Sequence, residues 1–504
     1  MSLQDLPPEI HSQIFSHLVT SFGPSSIHAV LKTCKQLYEV ALPFSVQIFR
    51  NTAPLHIGGG PCSKIRNAQF LHYILISKPE LAKYVKTLIF GSFSSEDNSP
   101  RGTPTSTAEA LGVYEKYINA ALSPPERKSW EGTQWLADLR RGSSDAQVAL
   151  ILFACEKVES LCFEEPEDAR SFCFVLNLLS TSFASRSNLR RVYSEAADAS
   201  LGYRMFGQEP SSLMALPRLR RYESSLACGD SLAEKQFARL PRRRSAVEEI
   251  TLRRSFITGS MINHLLGACK SLKSFEYTRG IYATIPPQML ARDVLEAVLP
   301  HASTLQHLHV NLDDDWFKEE VGVPERLYMG RELRQMVALK TLVVGMQSLT
   351  GLLDGQPQGG GGRIQVPLEV EGAPRLVDCL PDNLEQLQIH SCGGQILDQA
   401  SELLGVIENG KRFTKLTNIH FLFNHERINS KDVRLRCDLP RVRLEVGFQS
   451  QTQRGYELGA PLTVSKNRKH KTICSQIFAE DFRSEWLEMR GRYTTRLHHL
   501  PTVT

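Results

Sequence analysis

Apolar residues recur at helical spacing from the start of the chain. Ile10, Ile14 and Leu18 follow Leu6-Pro7-Pro8-Glu9 at i, i+4 intervals and so share one face of a helix. Asp5 can cap that helix, and Pro7 and Pro8 fall in its first turn, where a missing N–H costs little. Gly23-Pro24 breaks the pattern. A second amphipathic stretch, capped by Ser25 or Ser26, runs through Ile27, Val30, Leu31, Cys34, Leu37 and Tyr38. It continues into Ala41-Leu42-Pro43-Phe44 and Ile48-Phe49. The pattern predicts an apolar helical hairpin over residues 1–50. So short a segment buries too little surface to stand comfortably alone, which marks it as a docking module ahead of a larger body.

Beyond the hairpin a different pattern takes over. The frame apolar-x-x-apolar-x-apolar appears at Val85, Leu88, Phe90 and again at Val158, Leu161, Phe163. Leu189 with Val192, and Leu219 with Tyr222, keep its first two positions. It returns at Val247, Ile250, Leu252; at Leu272, Phe275, Tyr277; at Leu305, Leu308, Val310; and at Leu339, Leu342, Val344. Leu384, Leu387, Ile389 and Leu416, Ile419, Phe421 follow, and Val442, Leu444 and Val446 add a last strand. From Val158 the frames succeed one another at roughly 30-residue intervals, the spacing of a repeat array. Helical patterns fill the gaps, over residues 147–155, 172–179, 261–268, 294–299 and 400–407. The unit is a helix, a turn and a short strand, whose alternation sends the apolar positions inward and the intervening ones outward. Such a unit must stack on neighbours to bury its apolar face.

Composition adds limits. A hydrophobic fraction of 41% suits an ordinary globular core, and a net charge of +5 over 504 residues is only mildly basic. That balance gives no footprint for nucleic acid. Eleven cysteines, odd in number and without a Cys-x-x-Cys pair, read as reduced thiols of a cytoplasmic or nuclear protein. The first residues lack the basic and apolar regions of a signal peptide. The apolar run at 148–155 is too short to span a bilayer. Residues 58–61, the Ser/Pro/Thr-rich stretch 91–107 and the glycine run 355–362 read as loops or insertions.

Two resemblances arise from these residues. Leu6-Pro7-Pro8-Glu9-Ile10, Ile14, Leu18, Val30, Cys34-Lys35 and Tyr38 resemble the F-box, with Leu37 and Tyr38 where the family often has Trp. The similarity covers residues 5–49. The recurring frame resembles the leucine-rich repeat, whose strand reads Leu-x-x-Leu-x-Leu. The expected fold is therefore α/β: an N-terminal all-α F-box-like helical module followed by an irregular leucine-rich-repeat-like solenoid of helix–strand units. The expected divisions are the module at 1–50, a linker region with the first repeat-like unit and the Ser/Pro/Thr-rich insertion at 51–145, the solenoid at 146–450 and a C-terminal extension at 451–504.

The F-box resemblance implies a non-catalytic substrate adaptor that docks on the Skp adaptor and cullin of an SCF-type ubiquitin ligase and presents a client protein. An interaction scaffold with no ligase role is the alternative. The Skp-facing anchors, by motif match, are Leu6, Pro7, Ile10, Ile14 and Leu18, with Val30, Leu31 and Leu37 supporting or extending them, as in helix-in-groove docking. Some of these must instead hold the hairpin together. Outward strand positions supply client-binding candidates: Arg191, Tyr193, Glu249, Arg253, His307, His309, Gln386 and Gln388. Their mix of charge, His, Gln and Tyr suits protein or peptide recognition. His307, His309, Asn311 and Asp313 alternate on one strand, yet no other strand supplies an evident metal-ligand partner. No catalytic motif, nucleotide-binding loop or cofactor signature is present. Arg242-Arg243-Arg244 and residues 466–471 are the densest basic clusters.

Overall fold

The structure is a computed structural model of the chain. It describes residues 6–23, 26–51, 62–91, 93, 107–165, 169–196, 204–205, 209–229, 231–280, 289–312, 326–352, 372–424, 433–435, 437 and 439–449. Asp5, residues 58–60, most of the Ser/Pro/Thr-rich stretch, residues 313–315, the glycine run, residues 466–471 and the expected C-terminal extension lie outside the described residues.

Three helices open the chain: α1 (Pro8–Phe22), α2 (Ile27–Val30) and α3 (Lys35–Ser45). Pro8 occupies the first position of α1, and the N-cap is Pro7, which makes no side-chain cap bond. Gly23 ends the helix at φ 80°, a conformation that costs residues with a Cβ, and its N–H reaches Val19 O at 2.9 Å. Ser26 makes no cap bond to α2. Its hydroxyl donates instead to Gly23 O (2.7 Å) and Leu18 O (3.2 Å).

A strand follows at once, β1 (Ile48–Asn51), and eleven more succeed it. They are β2 (Thr87–Phe90), β3 (Ser160–Glu165), β4 (Arg191–Ala196), β5 (Arg221–Ser225), β6 (Glu249–Ser255), β7 (Ser274–Arg279) and β8 (His307–Asn311). Then come β9 (Thr341–Gly345), β10 (Gln386–Cys392), β11 (Asn418–Asn424) and β12 (Arg443–Gln449). All lie in one 12-stranded sheet, in chain order, and each pairs parallel with the next. A minor pair, Arg204–Met205 with Ala227–Cys228, stands beside it.

This corrects the expected architecture, although the α/β class holds. An all-α module followed by a solenoid of helix–strand units is not what forms. The parallel sheet already begins at β1, inside the segment expected to be wholly helical. Periodicity carried the helical reading past Ser45 because a short apolar run such as Ile48-Phe49 looks alike in helix and strand. The connections are also unlike one another. A ten-residue helix (Gly259–Ala268) precedes β7, a 3₁₀ turn (Arg331–Gln335) precedes β9, and no helix occurs among the described residues between β11 and β12.

The regularity that does exist is a backbone device. The carbonyls of Gln47, Lys86, Glu159, Arg190, Arg220, Glu248, Lys273, Gln306, Lys340 and Glu385 each accept two N–H groups from the entry of the next strand. Lys273 N and Ser274 N, for instance, reach Glu248 O at 2.7 and 3.1 Å. The entry rows stay in step whatever lies between them. Inward positions in register, such as Ile250, Phe275, Leu308, Leu342 and Leu387, are buried in one continuous core.

Two polar groups lock helices onto that core. Asp145 in α4 (Ser144–Ala154) is fully buried and accepts the N–H groups of Ser171 (2.8 Å) and Phe172 (3.0 Å), the first turn of α5 (Arg170–Ser180). Burial raises its carboxyl to about 7; these two hydrogen bonds oppose the shift and nearby Asp138 adds to it. Trp135 donates Nε1–H to Ala146 O at 3.1 Å. Asp145→Ala leaves two buried N–H groups without an acceptor. It is expected to lower unfolding free energy by about 1–3 kcal/mol in urea titration.

Candidate interaction surfaces

The N-terminal helices carry a small core of their own: Phe15, Val19, Ile27, Leu37 and Ala41. Phe15 meets Phe44 edge-on, with ring centroids 5.9 Å apart. This core takes the His11, Phe15, Val19 side of α1, where His11 stacks on Phe15. The next stripe round the helix is left at its edge. Pro7 is exposed and Ile10 is 39% exposed, while Leu6, Ile14 and Leu18 are half-buried. Val30 and Leu31 are half-buried against the same core, and Leu37, at 4% exposure, belongs to it outright. The structure thus sorts the expected anchors by burial, which the sequence could not. Leu37 holds the bundle, while Pro7 and Ile10 are free to meet something else. Phe22, 68% exposed at the last position of α1, escaped the sequence reading. Its i, i+4 relation to Leu18 was the signal.

The sheet brings all eight client-binding candidates to one face. Arg191, Glu249, His307 and Gln386 lie in the strand-entry row, in register with Arg221, Ser274 and Thr341. Tyr193, His309 and Gln388 lie in the second row with Glu223, Thr251, Glu276 and Val343. Arg253 stands in the third, opposite Ser225. Sequence reasoning missed Cys162 and Glu164, which join the second and third rows on β3. Alternation from Leu161 and Phe163 would have found them.

Ion pairs lace the β5–β7 part of this face. Arg253 grips Glu276 with two bonds, Nε to Oε1 at 2.6 Å and Nη2 to Oε2 at 2.9 Å, and lies 3.6 Å from Glu223. Arg221 meets Glu223 at 2.6 Å and Glu249 at 3.6 Å. Burial acts to lower the Arg253 pKa, but the Glu276 hydrogen bond and the charges of Glu276 and Glu223 outweigh it and hold the guanidinium charged. Tyr193 donates to Glu195 at 2.9 Å; burial, then the Glu195 charge, pushes its phenol well up. Over β8–β11 the face changes character, before Arg443 and Glu445 on β12 restore an ion pair at 2.6 Å. His307, His309, Gln386, Gln388, Asn418 and His420 present neutral donors and acceptors.

His309 carries a pH signature. Burial lowers its pKa to about 4, although Glu276, 3.9 Å away, pulls the other way. A group whose folded pKa lies below its unfolded value takes up its proton on unfolding. Stability from this site is therefore lost as pH falls from about 6.5 toward about 4. Asp145 has the opposite sign, so the test is a difference. Melting temperature should fall less between about pH 7 and about pH 5 in His309→Gln than in the unaltered chain.

Among the described residues no three His, Cys, Asp or Glu groups converge as a metal site, and no helix is long and apolar enough to cross a membrane. No family model matches the chain, and no curated protein matches it.

Proposed function

We propose that the chain is a non-catalytic substrate-recognition adaptor of an SCF-type cullin–RING ubiquitin ligase, working in the cytoplasm or nucleus. The α1 edge docks the Skp adaptor, and the polar sheet face receives a client protein. The observation that carries this reading is the divided α1. One stripe, Phe15 and Val19, is spent on the bundle, while the neighbouring stripe with Pro7 and Ile10 keeps apolar surface open at the edge. Helix-in-groove recognition needs such a helix. The polar sheet face supports the second half of the reading, with fixed ion pairs over β5–β7 and hydrogen-bonding amides and imidazoles over β8–β11. An adaptor contributes by holding ligase and client within reach of one another; ubiquitin transfer is the work of other subunits.

Gel filtration of the purified chain mixed with purified Skp adaptor tests the docking half. The reading expects one co-migrating species. Two separate peaks at concentrations well above micromolar would contradict it and leave an interaction scaffold without a ligase role.

A further inference from the structure

The strand-entry rim of β4–β7 collects positive charge that neither proposed surface uses. Arg190 and Arg220 occupy successive rungs of the shared-carbonyl ladder, and Lys273 follows one rung beyond Glu248. Rungs of a sheet are about 4.8 Å apart, so these side chains form a row. Beside the row lies the Arg242–Arg244 turn. Ser245 N bonds Ala268 O and Lys270 N bonds Ser245 O, which sets Lys270 against that turn. Arg220 reaches across to Ala246 O at 2.8 Å and ties the row to the turn. Arg190, Arg242, Arg244 and Lys270 are exposed, and no described carboxylate pairs with them. Glu248 is already taken by Lys273 (2.7 Å) and Arg220 (3.8 Å).

The next stretch of the same rim is different. Around β9–β11, Lys340 pairs with Glu385, and Arg334 and Arg412 both pair with Asp382. The surplus on β4–β7 is therefore not shared by the β9–β11 stretch.

We infer that this rim is a docking edge for an acidic protein segment, one rich in Asp and Glu. Guanidinium groups match carboxylates with paired hydrogen bonds, and an extended acidic segment can run along the row. Single-stranded nucleic acid offers negative charge too, but its binding platforms stack bases on exposed aromatic rings. None of the exposed large apolar side chains among the described residues falls on the β4–β7 rim. The inference is independent of the ligase reading.

Fluorescence anisotropy with the intact chain tests it. The probes are a fluorescein-labelled peptide of mixed Asp, Glu and Ser, its Asn/Gln counterpart, a labelled single-stranded oligonucleotide, and vesicles of phosphatidylcholine with phosphatidylserine. The acidic peptide should bind, and the Asn/Gln peptide should not. Arg242→Glu with Arg244→Glu, and separately Arg190→Glu, should each weaken it about tenfold or more, with binding falling as salt rises. Arg331→Glu, on the balanced stretch, should leave it unchanged. Arg190, Arg242 and Arg244 are exposed, so unchanged melting temperatures are expected for these variants. Failure of the acidic peptide to bind, indifference to both rim variants, or tighter binding of the oligonucleotide or the vesicles at the same salt would overturn the inference.

Discussion

A chain carrying Leu6→Ala together with Pro7→Ala should lose at least about a hundredfold in affinity for purified Skp adaptor, a cost on the order of 3 kcal/mol. The size follows from where the two residues lie. Pro7 is exposed at the mouth of α1, and Leu6 beside it is half-buried. Apolar side chains that become fully covered only in a complex are the ones that dominate binding energy. Their removal takes nothing from the bundle core, which rests on Phe15, Val19, Ile27, Leu37 and Ala41. Circular dichroism and melting temperature should stay near those of the unaltered chain. Leu37→Ala is the contrasting case. It empties a buried site and should lower the stability of the helices as well as the binding. Isothermal titration with both variants separates lost contact from lost fold.

Phe275→Ala should lower unfolding free energy by about 3–5 kcal/mol in urea or guanidinium titration. Phe275 has no exposed surface and sits in register between Ile250 and Leu308. Every strand here depends on its immediate neighbours in the chain for pairing, so a void at β7 weakens the junction of β6 with β8. The outward residue of a nearby strand offers the comparison. Gln388→Ala removes an amide from the polar face and should change stability by less than about 0.5 kcal/mol. If the two substitutions cost the same, the inner and outer faces have been assigned wrongly.

How far residues alone reveal this molecule depends on which physical rule decides each feature. The strands at Leu161, Ile250, Phe275, Leu308, Leu342, Leu387 and Ile419 were legible, because one-sided burial writes alternation into the chain. So was the shared face of Arg191, Tyr193, His309 and Gln388. The beginning of the sheet was not, since Ile48 and Phe49 continue the apolar run of α3. Nor was the ladder of doubly accepting carbonyls. It uses main-chain atoms alone, and its rungs are Gln, Lys, Glu and Arg without preference. The kinks at Leu226, Arg254 and Ser391 are equally silent: all three have positive φ, and none is the glycine that would announce it. The sorting of α1's apolar residues into buried and exposed needed coordinates, because Ile10 and Phe15 are apolar alike and only packing tells which one the bundle keeps. The Arg242–Arg244 run was visible as a cluster, but only the fold sets it beside Arg190, Arg220 and Lys270.

Affinity purification of the tagged chain from cells, followed by quantitative mass spectrometry, addresses the link between the N-terminal edge and the ligase. Cullin and Skp adaptor should both be recovered with the unaltered chain in comparable amounts, and both should vanish from the eluate of the Leu6→Ala, Pro7→Ala chain. Recovery of neither, or equal recovery with the two chains, would contradict the proposed adaptor role.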